Sequence, residues 1–315
     1  MTDEVSRLLA VAITPNSQKT YSSGWNAFCE FLVESFGVCT IPASALHIRQ
    51  FVAWLSLRGL SPNSIATYVA GVGYHHKLMG YLDPTKDFVV SKLLTGCRRD
   101  RHAPDSRQPI TVPVLRLILQ AVPRVCSSQY EAVLFRSVFL CAFFGFMRVG
   151  EFTVTSKDTV QDSTLKISDV QFCRPGVDSL SEHVLISFRV SKTNQAGPPQ
   201  VIRLVPSLEE FMCPVQGLRE FLRVRPTGLG PLFCHFDSLP LTRFQFRAVL
   251  QRALTFSNLQ HGHFTAHSFR IGAATVAHSL GVSQTDIRLM GRWRSDAVLS
   301  YIRPDVICAI PGVAE

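Results

Sequence analysis

None of the nine cysteines in this sequence stands in a C-x-x-C pair, so neither a thioredoxin-like redox motif nor a zinc ribbon is written into it. Cys29, Cys39, Cys97, Cys126, Cys141, Cys173, Cys213, Cys234 and Cys308 are scattered, mostly through apolar stretches. An odd, unpaired set predicts buried free thiols in a reducing compartment. Long apolar runs are also lacking. The longest, VFLCAFFGFM over 138–147, has the length of a core helix and falls well short of the roughly 20 residues of a membrane span. The N-terminal MTDEVSRLLA has neither the basic start nor the apolar core of a signal peptide. Charged residues are few, at 17%, whereas 46% of the chain is hydrophobic and 10% aromatic, which excludes a disordered chain. What remains is an intracellular protein of 315 residues, with one large or two medium globular domains.

The charge that is present is unbalanced. Lys and Arg total 32 against 23 acids, a formal net charge of +9. Between Arg58 and Arg124 there are ten basic residues and four acidic ones, so most of the excess sits in about one fifth of the chain. Such a surface suits a polyanion, most simply nucleic acid, with binding that weakens as salt rises. A solvated basic face without a partner would look the same.

The first hundred residues read as helices. One starts at Thr14-Pro15-Asn16-Ser17, with Tyr21, Trp25, Phe28 and Leu32 at helical spacing. A second starts near Pro42, and a third at Ser61-Pro62-Asn63-Ser64. Thr14 and Ser61 are expected N-caps, each followed by proline at the first helical position. The two starts, T-P-N-S-x-x-T-Y and S-P-N-S-x-x-T-Y, share helix-start chemistry, and two copies do not make a repeat protein. The polar, basic RRDRHAPDSRQP over 98–109 is the expected linker. Beyond it, helices are predicted from Thr111 to about Ala121 and from Ser128 to Met147. The period then shortens to that of strands over 165–172, 183–190 and 200–206. Helices return over 213–225, 241–257, 265–280, 283–291 and 296–302. The fold class is mainly α with a small antiparallel sheet, an α+β layout.

Several chemistry-bearing residues sit at element ends. Arg148 ends an apolar helix in G-F-M-R-V-G-E. Lys192 lies in the turn after the second strand. His267 and Arg270, three apart in T-A-H-S-F-R, share one face of a helix start. Trp293 lies in G-R-W, and Tyr301 follows it by eight residues in Y-I-R. Singly, each has an ordinary structural explanation. His261, His263 and His267 form H-x-H-x-x-x-H, but no acid or cysteine stands beside them, and no metal is assigned.

The ordered set R…K…H-x-x-R…W…Y resembles the tyrosine recombinases and integrases of the Cre and Xer type. The resemblance covers nearly the whole chain, since Thr20, Tyr21, Trp25, Phe28 and Phe31 echo that family's core-binding domain. The phrase G-R-W-x-S-D-A-x-x-x-Y-I-R is further similar to recombinases of DIRS-like and Crypton mobile elements. The resemblance implies a helical (SAM-like) core-binding DNA-binding domain over 1–97, a linker over 98–110 and a catalytic domain over 111–315. It implies an enzyme that cleaves and rejoins DNA through a 3′-phosphotyrosine, without metal, ATP or other cofactor. The implied catalytic residues are Arg148, Lys192, His267, Arg270, Trp293 and Tyr301, with Glu151 in possible support. Lys166 and Lys157 are alternatives to Lys192. The step of eight from Trp293 to Tyr301 is one shorter than the family's usual spacing. The long step from Arg148 to Lys192 implies an enlarged loop around 173–182.

The chemistry explains the residue types. A phenol with a reference pKa of about 10 attacks only when held in line and deprotonated as it reacts. Two guanidinium groups, Arg148 and Arg270, would clamp the non-bridging phosphate oxygens where charge develops. Lys192 would protonate the leaving 5′-oxygen, His267 would exchange the tyrosine proton or hydrogen-bond a phosphate oxygen, and Trp293 has one N–H to donate. Expected partners are double-stranded DNA and further copies of the chain, as a tetramer on paired sites, with neither a membrane nor a small-molecule substrate. Phosphate contacts are expected from Lys77, Arg98, Arg99 and Arg101, and from Arg243 and Arg247 on the helix over 241–257. If the source is eukaryotic, the compartment is the nucleus. Two other readings remain open: a catalytically inactive, domesticated DNA-binding protein, and a type IB topoisomerase-like nicking-closing enzyme.

Overall fold

The computed structural model describes residues 2–101, 105–157, 164–175, 182–189 and 197–305. The chain divides into two compact units, Met1–Asp105 and Ser106–Glu315.

The first unit is helical: α1 (Thr2–Val11), α2 (Pro15–Phe36), α3 (Ala45–Leu57), α4 (Pro62–Leu78) and α5 (Phe88–Asp100). Two of the starts follow the sequence reading closely. The Thr14 hydroxyl accepts from the Ser17 N–H at 3.2 Å, and the Ser61 hydroxyl accepts from the Ser64 N–H at 3.2 Å. The helix expected near Pro42 begins three residues later, because Ser44 supplies the cap. The echo between α2 and α4 has a structural meaning. A Cβ on Gly24 would lie 2.7 Å from Tyr68 Cα, and one on Gly71 would lie 2.8 Å from the Tyr21 carbonyl oxygen. Each helix thus places the backbone at its tyrosine on the other's glycine, and the two backbones approach as closely as only glycine permits. Phe28, Phe31, Ile48, Phe51, Leu55 and Val72 fill the core between the helices.

The segment expected as a linker, 98–110, begins as the last turn of α5, so Arg98 and Arg99 lie on a helix. The division between the units, after Asp105, falls inside this segment.

The second unit contains α6 (Val112–Val125), α7 (Gln129–Phe144), the single turn α8 (Val149–Phe152), β1 (Val170–Cys173), β2 (His183–Phe188), β3 (Gln200–Leu204), α9 (Pro214–Val224), α10 (Arg243–Phe256), α11 (His267–Ser279) and α12 (Gln284–Met290). Helix α7 is apolar on nearly every side and packs against α6, α9 and α11, as a central core helix must. The strands form an antiparallel sheet in the order β1-β2-β3, with Val170 opposite Ile186 and Ile186 opposite Ile202. Val184, Ile186 and Phe188 alternate inward along β2.

Three expectations need correction. Residues 165–169 are not strand; a 3-10 turn over Ile167–Asp169, closed by the Asp169 carboxylate on the Lys166 N–H, delays β1 to Val170. The last predicted helix is a 3-10 helix, Asp296–Tyr301, started by the Ser295 hydroxyl on the Ala297 N–H, a two-residue reach that suits the tighter coil. The cysteines are less buried than expected. Among the described residues only Cys141, Cys213 and Cys234 are buried, and Cys39 is exposed because it lies in the loop after α2; all eight described are free thiols. The loop expected to be enlarged lies between β1 and β2, largely outside the described residues, as does Cys308.

Candidate active site

Arg148 sits where α7 has ended and α8 begins. The chain turns through Phe146 in the left-handed region, at φ 48°, and Arg148 becomes the N-cap of α8. Glu151, three residues on and only 4% exposed, reaches back to it. Its carboxylate accepts from the Arg148 backbone N–H at 2.8 Å and from Arg148 Nη1 at 3.0 Å. Glu151 therefore fixes both the backbone and the side chain of Arg148.

Arg270 lies one turn into α11 and is 1% exposed. Its Nη1 donates to the Phe146 carbonyl and its Nη2 to the Gly291 carbonyl. The guanidinium carbon stands 3.9 Å from the centroid of the Trp293 ring and 5.6 Å from that of Tyr301. Trp293 and Tyr301 are themselves in contact, with centroids 5.0 Å apart. The carbonyl of Phe146, turned by the left-handed backbone, is thus one of the groups that orients Arg270. Burial, and then repulsion from Arg148, pushes the Arg270 pKa down, with Arg292 adding to the repulsion and Glu151 and Tyr301 opposing it.

Sequence reasoning missed two residues. Arg292, quoted only as part of G-R-W, is 6% exposed and donates to Glu151 Oε2 at 2.9 Å. Its guanidinium also lies 3.9 Å from the ring of Phe188, at the end of β2. Its neighbours Gly291 and Trp293 stood out in the sequence, but its own burial depends on Glu151 and Phe188, which are distant in the chain. Thr275 is the other. Its hydroxyl donates to the Tyr301 carbonyl at 3.4 Å and accepts from the Arg303 N–H at 3.1 Å, tying the Tyr301 segment to α11. A threonine inside a helix carries no signal of such a tie in one sequence.

The structure brings Arg148, Glu151, Arg270, Trp293 and Tyr301 into one cluster. His267 is the first residue of α11, one turn before Arg270, and its side chain is exposed. Lys192 lies outside the described residues. Of its alternatives, Lys157 is exposed and Lys166 half-buried. His263 Nδ1 pairs with the Ser106 hydroxyl at 2.8 Å.

The residues expected to meet phosphate divide by partner. Arg98 and Arg99 are exposed on the last turn of α5 and form no ion pair among the described residues. Arg101 donates to the carbonyls of Leu60 and Ser56, at 3.1 and 2.7 Å, and so closes the α3–α4 turn. Lys77 pairs with Asp83 at 3.3 Å while remaining 59% exposed. Arg243 and Arg247 are exposed on α10, where with Phe244, Thr265 and Ala266 they line a groove of about 550 Å³.

No protein-family model and no curated protein matches this sequence. Solved structures do match. A XerH site-specific recombinase, in a post-cleavage complex with a palindromic difH substrate, superposes with a TM-score of 0.64 at 16% identity, over 90% of this chain and 75% of that one. The Tn1549 transposon integrase, in complex with transposon right-end DNA, gives 0.61 at 12% identity, over 94% and 92%. A lambda integrase dimer bound to a COC' core site gives 0.62 at 16% identity, over 95% and 93%. On these superpositions, which cover 90–95% of its length, this chain has the tyrosine recombinase/integrase fold.

Proposed function

We propose that the protein is a site-specific DNA recombinase or integrase of a mobile element, with Tyr301 as its nucleophile. The observation that carries this reading is the stack of Arg270, Trp293 and Tyr301, with Arg148 and Arg292 beside it. Three guanidinium groups face a single carboxylate, Glu151, among the described residues. A buried positive excess of this kind calls for an anion, and a phosphodiester brings one beside the phenol.

In the reaction, the Tyr301 phenol oxygen bonds to phosphorus, the bond from phosphorus to the 5′-oxygen breaks, and the 3′ end is left as a phosphotyrosine. His267 takes the phenol proton, and Lys192 gives one to the departing 5′-oxygen. Arg148 donates to the non-bridging oxygens. Arg270 can donate to the same oxygens through its Nε–H, since Nε is its one nitrogen with no partner among the described residues. The ester keeps the energy of the broken bond, so the reverse attack by a 5′-hydroxyl reseals the strand without ATP. Arg98, Arg99, Arg243 and Arg247 meet the DNA backbone, and the active assembly is a tetramer on paired sites. The similarity of the G-R-W-x-S-D-A phrase to DIRS-like and Crypton elements supports a eukaryotic, nuclear setting. The solved structures named above are themselves complexes with DNA, which supports double-stranded DNA as the substrate. No described helix is long and apolar enough to cross a membrane.

The test uses nicked duplexes tiled across the DNA flanking the gene. Wild-type protein should form a covalent adduct on one of them, and Tyr301→Phe should form none while still binding. Equal behaviour of the two proteins would refute the assignment.

A further inference from the structure

Arg292 occupies a position that normally excludes arginine. Helix α12 ends with the Arg292 N–H on the Leu289 carbonyl and the Trp293 N–H on the Arg288 carbonyl, both at 3.0 Å. This is a helix-ending motif whose left-handed residue is usually glycine or asparagine. Here that residue is Arg292, at φ 56°. Its guanidinium is moreover buried, and burial pushes its pKa down. Nε and Nη1 have no hydrogen-bond partner among the described residues. Local strain and a buried charge are both unfavourable, and together they point to a task elsewhere.

The task is visible at Glu151. Its Oε2 accepts from the Arg148 backbone N–H and from Arg292 Nη2, which leaves Oε1 alone for the Arg148 side chain. A carboxylate facing a single arginine prefers to chelate it through two parallel N–H···O bonds. That arrangement would occupy a second donor of Arg148. With Oε2 held by Arg292, only Nη1 of Arg148 is engaged, and its Nη2 and Nε remain available among the described residues. Arg148 is 18% exposed, whereas the Arg292 side chain is 4% exposed, so Arg148 is the arginine that can meet a ligand.

We propose that Arg292 is a positioning residue: by holding one oxygen of Glu151, it keeps half of the Arg148 guanidinium free for the scissile phosphate. This rests on the reading of the site as a recombinase active centre. Arg292 does not touch the DNA in this scheme.

Arg292→Gly tests it, because glycine suits the left-handed backbone and removes a buried charge without orphaning Glu151, which keeps Arg148. The variant should melt at or above the wild-type temperature and bind DNA with unchanged affinity. It should nonetheless form the Tyr301 adduct more slowly, on the order of 10²-fold, as a misplaced catalytic donor does. Arg292→Lys should restore part of the rate. In the Arg292→Gly/Glu151→Gln double variant, the melting shifts should be non-additive, and the rate should be no lower than with Glu151→Gln alone. Wild-type cleavage by Arg292→Gly, or a rate loss that merely follows lost DNA affinity, would overturn the inference and leave the recombinase reading standing. Additive melting shifts would overturn it whatever the enzyme does. A wild type that forms no adduct through Tyr301 would sink the recombinase reading, and this inference with it.

Discussion

The guanidinium of Arg270 lies 3.9 Å from the centre of the Trp293 ring, and the same tryptophan packs on Tyr301 with 5.0 Å between centroids. One aromatic ring thus fixes the distance between the buried cation and the phenol. Its indole also has an N–H that could serve a phosphate oxygen.

Two substitutions separate these roles. Trp293→Phe keeps a ring against Arg270 and loses the N–H, whereas Trp293→Ala removes the ring from a position only 8% exposed. If spacing is what matters, the phenylalanine variant should form the covalent adduct within about tenfold of the wild type. The alanine variant should lose activity and about 3–5 kcal/mol of stability. Adduct rates and urea unfolding measure both. A phenylalanine variant as inactive as the alanine one would move the role from the ring to the N–H.

Thr275 offers a second handle, at a distance from the chemistry. It is 2% exposed, and its hydroxyl is the link from α11 to the backbone at Tyr301 and Arg303. Thr275→Val removes that link at nearly equal volume and takes from the 2% exposed site the hydroxyl that joins the two segments of backbone. Stability should fall by about 1–3 kcal/mol, the usual cost of an unsatisfied buried group. The adduct rate should fall further than the stability change explains, because the nucleophile is held less firmly. DNA affinity should not change. A rate equal to that of the wild type would mean that the Trp293 contact alone sets Tyr301.

How far the sequence revealed this arrangement depends on the kind of signal. Thr14 and Ser61 were readable as caps because capping is decided by a few adjacent residues. Helix α7 was readable because its apolar run is long. The order of Arg148, Arg270, Trp293 and Tyr301 was readable because their types and spacing are unusual together. The reciprocal contact of Gly24 with Tyr68 and of Gly71 with Tyr21 was only half visible: the repeated phrase stood in the sequence, but its consequence depends on two helices meeting. Arg292 and Thr275 act through partners 141 and 26 residues away, and no local pattern encodes such a pairing. Helices α1 and α5 were not picked out in the sequence reading, although Asp87 caps α5 as Thr14 and Ser61 cap α2 and α4.

The basic residues at the C-terminal end of α5, Arg98 and Arg99 in its last turn and Arg101 as its C-cap, differ in what they already hold, and that difference is measurable. Arg98 and Arg99 are exposed and form no ion pair among the described residues, whereas Arg101 closes the α3–α4 turn through the Leu60 and Ser56 carbonyls. Replacing Arg98 and Arg99 with alanine should weaken DNA binding and flatten the plot of log affinity against log salt by about 0.9 for each phosphate that is no longer neutralised. Arg101→Ala should leave that slope intact and lower the melting temperature instead. Titrations between about 50 and 200 mM salt cover the range over which such pairings show. A slope unchanged in the double variant would remove α5 from the DNA interface.

The charge excess at the site gives a test that needs no DNA sequence. Arg148, Arg270 and Arg292 face Glu151 alone among the described residues, and mutual repulsion helps to push Arg270 down from its ordinary pKa. An oxyanion bound among them should relieve that repulsion in the folded state only, and so stabilise it. Sulfate or inorganic phosphate should therefore raise the melting temperature along a saturating curve, with about 2.7 kcal/mol gained when its concentration reaches a hundred times the dissociation constant. Chloride at matched ionic strength should not. Sulfate also stabilises proteins generally by exclusion from their surface, an effect that does not saturate and is indifferent to single residues. Arg148→Gln separates the two, since it removes the exposed arm of the cluster while Glu151 keeps Arg292. The variant should lose the saturating part of the curve and retain the rest. A saturating response that survives Arg148→Gln would place the anion elsewhere, and the arginine cluster would then be a structural device that tolerates its own charge.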